Sequence, residues 1–224
     1  MKTNTKILLA LAASRLVIFA VKTIGQNASP ATQGVPEEMR RQMRHNIDSS
    51  FVVFRDKIQE ELKVTREQNE KLEVVLPDVM QFLQKIKGLP PDERKKEINE
   101  YRPKARVKLA AVLKEALDEG QRARLRQIVL QREGLRNGEI WKDMQITDEQ
   151  QKQFIPLMQQ AQKETQTLMA ELKKSGNIRE IQPRVIKVRE DLEGQLEARL
   201  TDAQKKKWKE MLGKPMATAD LFDL

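Results

Sequence analysis

The chain contains no cysteine and a single histidine, His45. Without thiols it has no disulfide framework and no thiolate nucleophile, and one imidazole cannot build the usual zinc site of nitrogen and sulfur ligands. His45 falls at the edge of a predicted helix, which favours a surface role over general-base catalysis. The glycines form neither a G-x-G-x-x-G sequence nor a P-loop. We therefore expect no catalytic residue, no metal, no cofactor and no enzymatic activity.

Aromatic residues are scarce at 4%, and there are only nine glycines, whereas charged residues make up 33% of the chain. This composition is typical of long amphipathic helices with one apolar stripe between charged faces, and it predicts an all-α fold without strands. The net charge is 42 minus 33, or +9. Because acidic residues are interspersed and stacking aromatics are few, we expect solvated helix faces and no nucleic-acid partner. A basic cytoplasmic protein that binds nucleic acid is retained as one alternative.

The first 36 residues contain no acidic residue, although four cations lie among them. Lys2 and Lys6 precede an apolar run from Ile7 to Ala13, and a small, polar linker follows, as in a secretory signal peptide. Arg15 interrupts the run and no clear cleavage site follows it. Export to the periplasm is the expectation, with an uncleaved N-terminal anchor or a cytoplasmic location as alternatives. The apolar stretch is too short to predict a stable membrane span, which needs about 20 residues.

An apolar residue followed by Thr-x-x-Gln or Asp-x-x-Gln occurs four times in the chain. In such a capping box the Thr or Asp side chain accepts from the backbone N–H three residues on, and the Gln side chain accepts from the N–H of the cap. The pairs are Thr65 and Gln68, Asp118 and Gln121, Thr147 and Gln150, and Thr201 and Gln204. The residue seven positions after each cap is a predicted core anchor: Leu72, Leu125, Phe154 and Trp208.

The caps follow one another at intervals of 53, 29 and 54 residues, so they form two pairs that repeat after 82 to 83 residues. Such a period indicates an internal duplication. We predict a leader and linker over residues 1–35, a first helical unit over 36–134, a second over 135–215 and a C-terminal tail over 216–224. Each unit is expected to be built around a helical hairpin.

The apolar-Thr-x-x-Gln repeat, best preserved as Leu200-Thr-Asp-Ala-Gln204, resembles the LTxxQ motif of the Spy/CpxP family of periplasmic helical proteins. The other copies are variants, with Val64 or Ile146 in place of Leu and Asp118 in place of Thr. The resemblance implies an ATP-independent, non-enzymatic chaperone or a regulator of envelope stress. Its partners would be partly unfolded proteins, or, in the alternative, the sensor of an envelope-stress system to which it binds as a regulatory module.

Apolar periodicity predicts where the helices lie. In the first unit it predicts one helix from Pro36 to the Thr65 cap, a second from there to Gly88, a third from Pro91 to Ala116 and a fourth that ends near Gly134. In the second unit it predicts helices over residues 147–174 and 178–200, and a last one after Thr201. Four prolines fall inside these segments and either bend or break them: Pro77, Pro103, Pro156 and Pro183.

Polarizable methionines and arginines are the candidate contacts for unfolded clients, because unbranched Met side chains adapt to varied partners. These candidates are Met39, Met43, Met80, Met158, Arg122 and Arg126. The two units are joined by a short link, so the local concentration of one beside the other should be millimolar or higher. We expect a monomeric pseudo-dimer whose halves pack through their apolar stripes and leave a curved face for clients.

Overall fold

The structure, a computed structural model, describes residue 43, residues 47–217 and residue 221. These parts of the chain contain helices and turns and no strand, which confirms the all-α prediction. The predicted leader, Met39 and His45 lie outside the described residues.

From residue 47 on, the described part of the first unit contains a 3-10 helix, Ser49–Phe54, followed by five α-helices. They are α1 (Asp56–Leu62), α2 (Arg66–Glu73), α3 (Leu76–Lys87), α4 (Pro91–Ala116) and α5 (Glu119–Glu133). Two short 3-10 helices, Gly134–Arg136 and Gly138–Ile140, link it to the second unit. That unit comprises α6 (Asp148–Ser175), α7 (Ile178–Glu197) and α8 (Asp202–Leu212).

The prediction of one helix up to the Thr65 cap is wrong. The helical path is interrupted before the 3-10 helix, where Asp48 is extended (φ −157°) and accepts from the Ser50 N–H through its side chain, and again at Arg55, which is also extended. The cause is the run from Phe51 to Phe54, in which all four side chains are buried. Four consecutive residues point around a whole α-helical turn and cannot share one apolar stripe.

The predicted second helix is also interrupted. It divides at Val74 and Val75 into α2 and α3, and Pro77 lies in the first turn of α3, where its missing N–H leaves no hydrogen bond unmade. The other three prolines lie within unbroken helices: Pro103 in α4, Pro156 in α6 and Pro183 in α7. One predicted helix is thus broken just before its proline, and the other three continue through theirs.

Most of the buried apolar side chains form two separate clusters. The first joins the Phe51–Phe54 run to residues of α1 through α5, including Leu72, Leu109 and Leu125. The second joins the link to the α6–α7 hairpin and α8, and its members include Leu135, Phe154 and Trp208. The expectation that the halves pack through their apolar stripes is therefore wrong, because the two units bury their apolar side chains in separate clusters.

The units meet instead along α5 and α8 and through the segment that follows α8. Leu130 of α5 belongs to the second cluster, while Met216 and Leu221 pack against the first. Gln131 holds this segment in place: its amide donates to the carbonyls of Leu212 and Lys214 at 2.6 and 2.8 Å, and its oxygen accepts from the Met216 N–H at 2.9 Å. The segment after the second unit is thus a part of the contact between units.

Within the described part of the chain, no helix combines the length and the apolar character needed to cross a lipid bilayer.

Candidate functional site

Each of the four predicted caps forms both hydrogen bonds of a capping box at the start of its helix. The residue two positions before the first cap of each unit, Lys63 or Gln145, has a positive φ, 52° and 54° respectively. Non-glycine residues adopt this left-handed conformation uncommonly, and here it turns the chain sharply into the cap. The two units therefore repeat a backbone feature as well as a motif.

The capping glutamines also bind one another across each unit. Gln68 donates to the Gln121 side-chain oxygen at 2.7 Å and accepts from the Gln121 amide at 3.0 Å. Gln150 and Gln204 form the same reciprocal pair at 2.8 and 3.0 Å. Each pair ties the start of the hairpin to the start of the helix that follows it. The sequence predicts each local capping box but not the pairing of the glutamines, because the partners lie more than fifty residues apart.

The second amide proton of three of these glutamines reaches a main-chain carbonyl. Gln121 donates to Leu62, Gln150 to Arg199 and Gln204 to Gln145, at 3.0, 2.8 and 2.9 Å. In these three side chains both donor and both acceptor positions of the amide are used, which is the condition for a polar group to be removed from water without penalty. The motif is thus a structural clamp at one end of each unit.

The four anchors Leu72, Leu125, Phe154 and Trp208 are all buried. The candidate client contacts, in contrast, do not gather on one surface. Met43 is fully buried in the first cluster, so it is not a surface contact in this conformation. Met80 is half-buried against the same cluster, and Met158 is half-buried against the second.

The two candidate arginines are both engaged within the chain. Arg122 donates to the carbonyls of Lys114 and Leu117 and so closes the end of α4. Arg126 is exposed and forms an ion pair with Asp143 at 3.2 Å. Arg124, the third arginine of this basic run, is held by Glu61 at 2.8 Å. A row of phosphate contacts would need these guanidinium groups to face solvent together, and they do not.

An open cleft of about 810 Å³ lies between the α6–α7 hairpin and the link over residues 133–139. Met158, Ala161, Val188 and Leu192 give it apolar walls, and glutamine, threonine and asparagine side chains add hydrogen-bonding groups. Arg136 and Arg189 line it as cations, and Glu133 and Glu139 line it as carboxylates. Such a combination of apolar walls and a few polar groups is typical of a binding site.

The cleft lies over a cluster of partly buried charges. Burial and the neighbouring Arg136 lower the pKa of Arg189 to about 9. Burial also raises the pKa of the Glu193 carboxyl, against the opposing effect of a hydrogen bond from the Leu135 N–H. Glu133 and Glu193 lie among these arginines, and their carboxylates oppose the lowering of the pKa of Arg136 and Arg189.

The described residues contain no group of three potential metal ligands among His, Cys, Asp and Glu side chains. The cleft offers shape, hydrogen bonds and charged groups of both signs for binding. Comparison with protein-family models, curated proteins and solved structures finds no match to this chain in any of the three, so the resemblance to the LTxxQ motif rests on the four capping sequences themselves.

Proposed function

We propose that the protein is a non-enzymatic, ATP-independent chaperone of the cell envelope that holds partly unfolded proteins. The observation that carries the proposal is the α6–α7 hairpin, which combines an open cleft with apolar side chains that face solvent. Ile155, Met169 and Ile178 are 44%, 37% and 49% exposed along it. The capping sequences that resemble the LTxxQ motif support the same reading.

The physical basis is weak and adaptable contact. Burying an apolar side chain stabilises a complex by roughly 1.5 to 3 kcal/mol at most, so a few half-exposed residues hold a client only loosely. The positive charge of the chain adds long-range attraction to acidic segments, which raises the rate of encounter. Loose binding and rapid encounter together allow a client to be captured, released and refolded without an energy source.

The test is suppression of aggregation by the purified protein in the absence of ATP. Three unrelated, chemically denatured enzymes should each scatter less light on dilution when the protein is present at about equal molar amount. The triple variant Ile155→Ser, Met169→Ser, Ile178→Ser should lose most of this effect. The proposal would be refuted if the protein protected none of the three enzymes.

A matched control comes from the first unit, where Val74 and Val107 are 60% and 72% exposed. The double variant Val74→Ser, Val107→Ser removes exposed apolar surface away from the hairpin. It should protect clients as well as the unchanged protein does. Equal loss in both variants would mean that general surface hydrophobicity, and not the hairpin, holds the clients.

The number of unrelated proteins that it protects distinguishes a chaperone from the alternative, a regulatory module that binds an envelope-stress sensor. A sensor ligand would bind one domain tightly and leave unrelated aggregating enzymes unprotected. The proposal places the protein outside the cytoplasm, in agreement with the acid-free first 36 residues of the sequence.

A further inference from the structure

The link between the two units contains the one Asn-Gly sequence of the chain, at Asn137 and Gly138. The other six asparagines are followed by Thr, Ala, Ile or Glu. The following residue matters because its backbone nitrogen can attack the amide carbon of the asparagine side chain. Glycine allows this approach best, since it has no Cβ and adopts the widest range of backbone conformations. The sequence therefore singles out Asn137 among the asparagines as the one most open to this reaction.

The structure leaves the Gly138 nitrogen accessible. Gly138 is exposed, and no group among the described residues accepts a hydrogen bond from its N–H. The carbonyl of the same peptide group accepts one backbone hydrogen bond, from the Ile140 N–H at 3.2 Å. A rotation that turns this peptide group toward the Asn137 side chain therefore breaks a single backbone hydrogen bond. The fold itself does not require glycine here, because φ lies outside the left-handed region and a Cβ would meet open space.

The side chain of Asn137 is held in a position that favours attack on its amide carbon, Cγ. Its Oδ1 accepts from the Glu139 N–H at 3.0 Å, and its Nδ2 donates to the Glu133 carboxylate at 2.5 Å. When a nitrogen adds to Cγ, negative charge develops on Oδ1. The Glu139 N–H stabilises that charge as the donor of an oxyanion hole does. Because nucleophile and amide lie in adjacent residues, the reaction is intramolecular and needs no second molecule to be positioned.

We propose that Asn137 is a site of covalent modification, at which the chain deamidates to aspartate and isoaspartate. The Gly138 nitrogen loses its proton to hydroxide and bonds to Asn137 Cγ, the bond from Cγ to Nδ2 breaks, and Nδ2 takes a proton from water and leaves as ammonia. The product is a succinimide ring. Water then opens the ring at Cγ, which gives aspartate, or at the main-chain carbon, which gives isoaspartate. In total one water is consumed and one ammonia released. This inference goes beyond the proposed function and does not depend on it.

The modification adds a negative charge where two cavities meet. Asn137, Glu133 and Glu139 line both the large cleft and a smaller cavity of about 350 Å³ on the side of the first unit. Glu133 would face a carboxylate in place of an amide donor, and the two like charges would repel each other. Two arginines and two glutamates line the large cleft, so the product leaves it with one negative charge in excess. Isoaspartate also lengthens the main chain of the link by one carbon atom.

The test is incubation of the purified full chain at mildly alkaline pH, followed by peptide mapping with mass spectrometry. Conversion at Asn137 should be at least about tenfold faster than at any other asparagine, a difference of about 1.4 kcal/mol in the barrier. Asn177 is the internal control, because it is exposed and also caps a helix, but the β-branched Ile178 follows it. The products should include isoaspartate, since direct hydrolysis of the side-chain amide gives aspartate alone.

Two matched variants test the role of the Gly138 nitrogen. Gly138→Ala has room for its methyl group, so it should keep the melting temperature while conversion at Asn137 slows at least about tenfold. Gly88→Ala makes the same change at another open glycine and should leave conversion at Asn137 unchanged. Asn137→Asp stands in for the aspartate product and should lower the melting temperature by about 2 to 4 °C. Glu133→Gln in that background should restore most of this loss, because it removes one of the two facing carboxylates.

The proposal would be overturned if Asn137 stayed intact in the folded chain while a synthetic peptide of residues 132–142 was converted under the same conditions, because the fold would then protect it. Equal conversion in Gly138→Ala and Gly88→Ala, or products without isoaspartate, would also overturn it, since the Gly138 nitrogen would take no part. An unchanged melting temperature in Asn137→Asp would contradict the repulsion from Glu133. A chain that protects denatured enzymes but keeps Asn137 intact would retain the proposed function and lose this inference.

Discussion

The reciprocal glutamine pair should act as a single energetic unit, and this can be measured with a double-mutant cycle on Gln150 and Gln204. The Gln204 amide makes four hydrogen bonds: two with Gln150, one to the Gln145 carbonyl and one from the Thr201 N–H. At a net 0.5 to 1.5 kcal/mol for each bond, the sum is about 2 to 6 kcal/mol. Because water can reach the Thr201 N–H after truncation, we expect Gln204→Ala to cost about 2 to 3 kcal/mol.

The coupling energy isolates the pair itself. Gln150→Ala removes the same two reciprocal bonds that Gln204→Ala removes, so the double variant loses them only once. The cost of the double variant should therefore fall short of the summed single costs by about 1 to 2 kcal/mol. The variants Gln68→Ala and Gln204→Ala lie in different units and share no partner. Their combined cost should be additive within about 0.3 to 0.5 kcal/mol.

The assay is urea unfolding followed by tryptophan fluorescence and by far-UV circular dichroism. Both tryptophans of the chain, Trp141 and Trp208, pack in or against the second cluster, so fluorescence reports on the second unit. Circular dichroism reports on both units. A coupling energy below about 0.3 kcal/mol between Gln150 and Gln204 would refute the clamp and would reduce the motif to four independent helix caps.

Four further predictions follow from the geometry and the sequence. Gly134 has φ 69° and ψ −168°, a conformation nearly confined to glycine, and a methyl group there would collide with the Glu193 carboxylate. Gly134→Ala should therefore lower the free energy of unfolding by about 3 kcal/mol. Gly176→Ala should cost only about 1 kcal/mol, because Gly176 lies in the ordinary left-handed region with open space around it, and equal costs in urea unfolding would contradict this reasoning. Burial raises the pKa of Glu193 above its unfolded value, so the folded state binds this proton more tightly than the unfolded state does. The free energy of unfolding should therefore fall as the pH rises from 4.5 through the raised pKa. Glu193→Gln should flatten that slope in unfolding curves taken between pH 4 and 7. Light scattering at micromolar concentration should give the mass of a monomer, and a stable dimer would show that the duplication has not replaced self-association. N-terminal sequencing of the exported chain should find a start between Gln26 and Val35, and an intact leader in the cytosol would contradict export.

Local chemistry predicted much of this fold. The four caps, the turn at Gly176 and the bounds of α4 and α5 all follow from side chains that act within one or two helical turns of themselves. Apolar spacing failed to predict the breaks before Thr65. The spacing of apolar residues fits a continuous helix there, but it does not show that four consecutive residues are all buried. It also failed at Pro77, where the sequence is compatible both with a bent helix and with two shorter helices.

The longer-range features were not predictable in the same way. The glutamine pairs depend on how two distant helix ends meet, which no local pattern encodes. The cleft did leave a signal, since an alignment of the two repeats at 82 residues places Thr165 opposite Leu83, which is buried in the first cluster. Comparing the repeats for where they differ, and not only for what they share, would have found it.

The hydrogen bonds from Gln131 to the segment after α8 close the second unit into a ring. Residue 131 precedes that unit and residues 212–216 lie at its C-terminal end, so the unit lies between two points that are fastened together. A protease cut within the link would leave the two pieces joined through this contact and through Leu221, whose carbonyl accepts from Arg132 at 2.9 Å. A stretching force applied at the two ends of the second unit would act on these hydrogen bonds first, and the unit would extend only after they had broken.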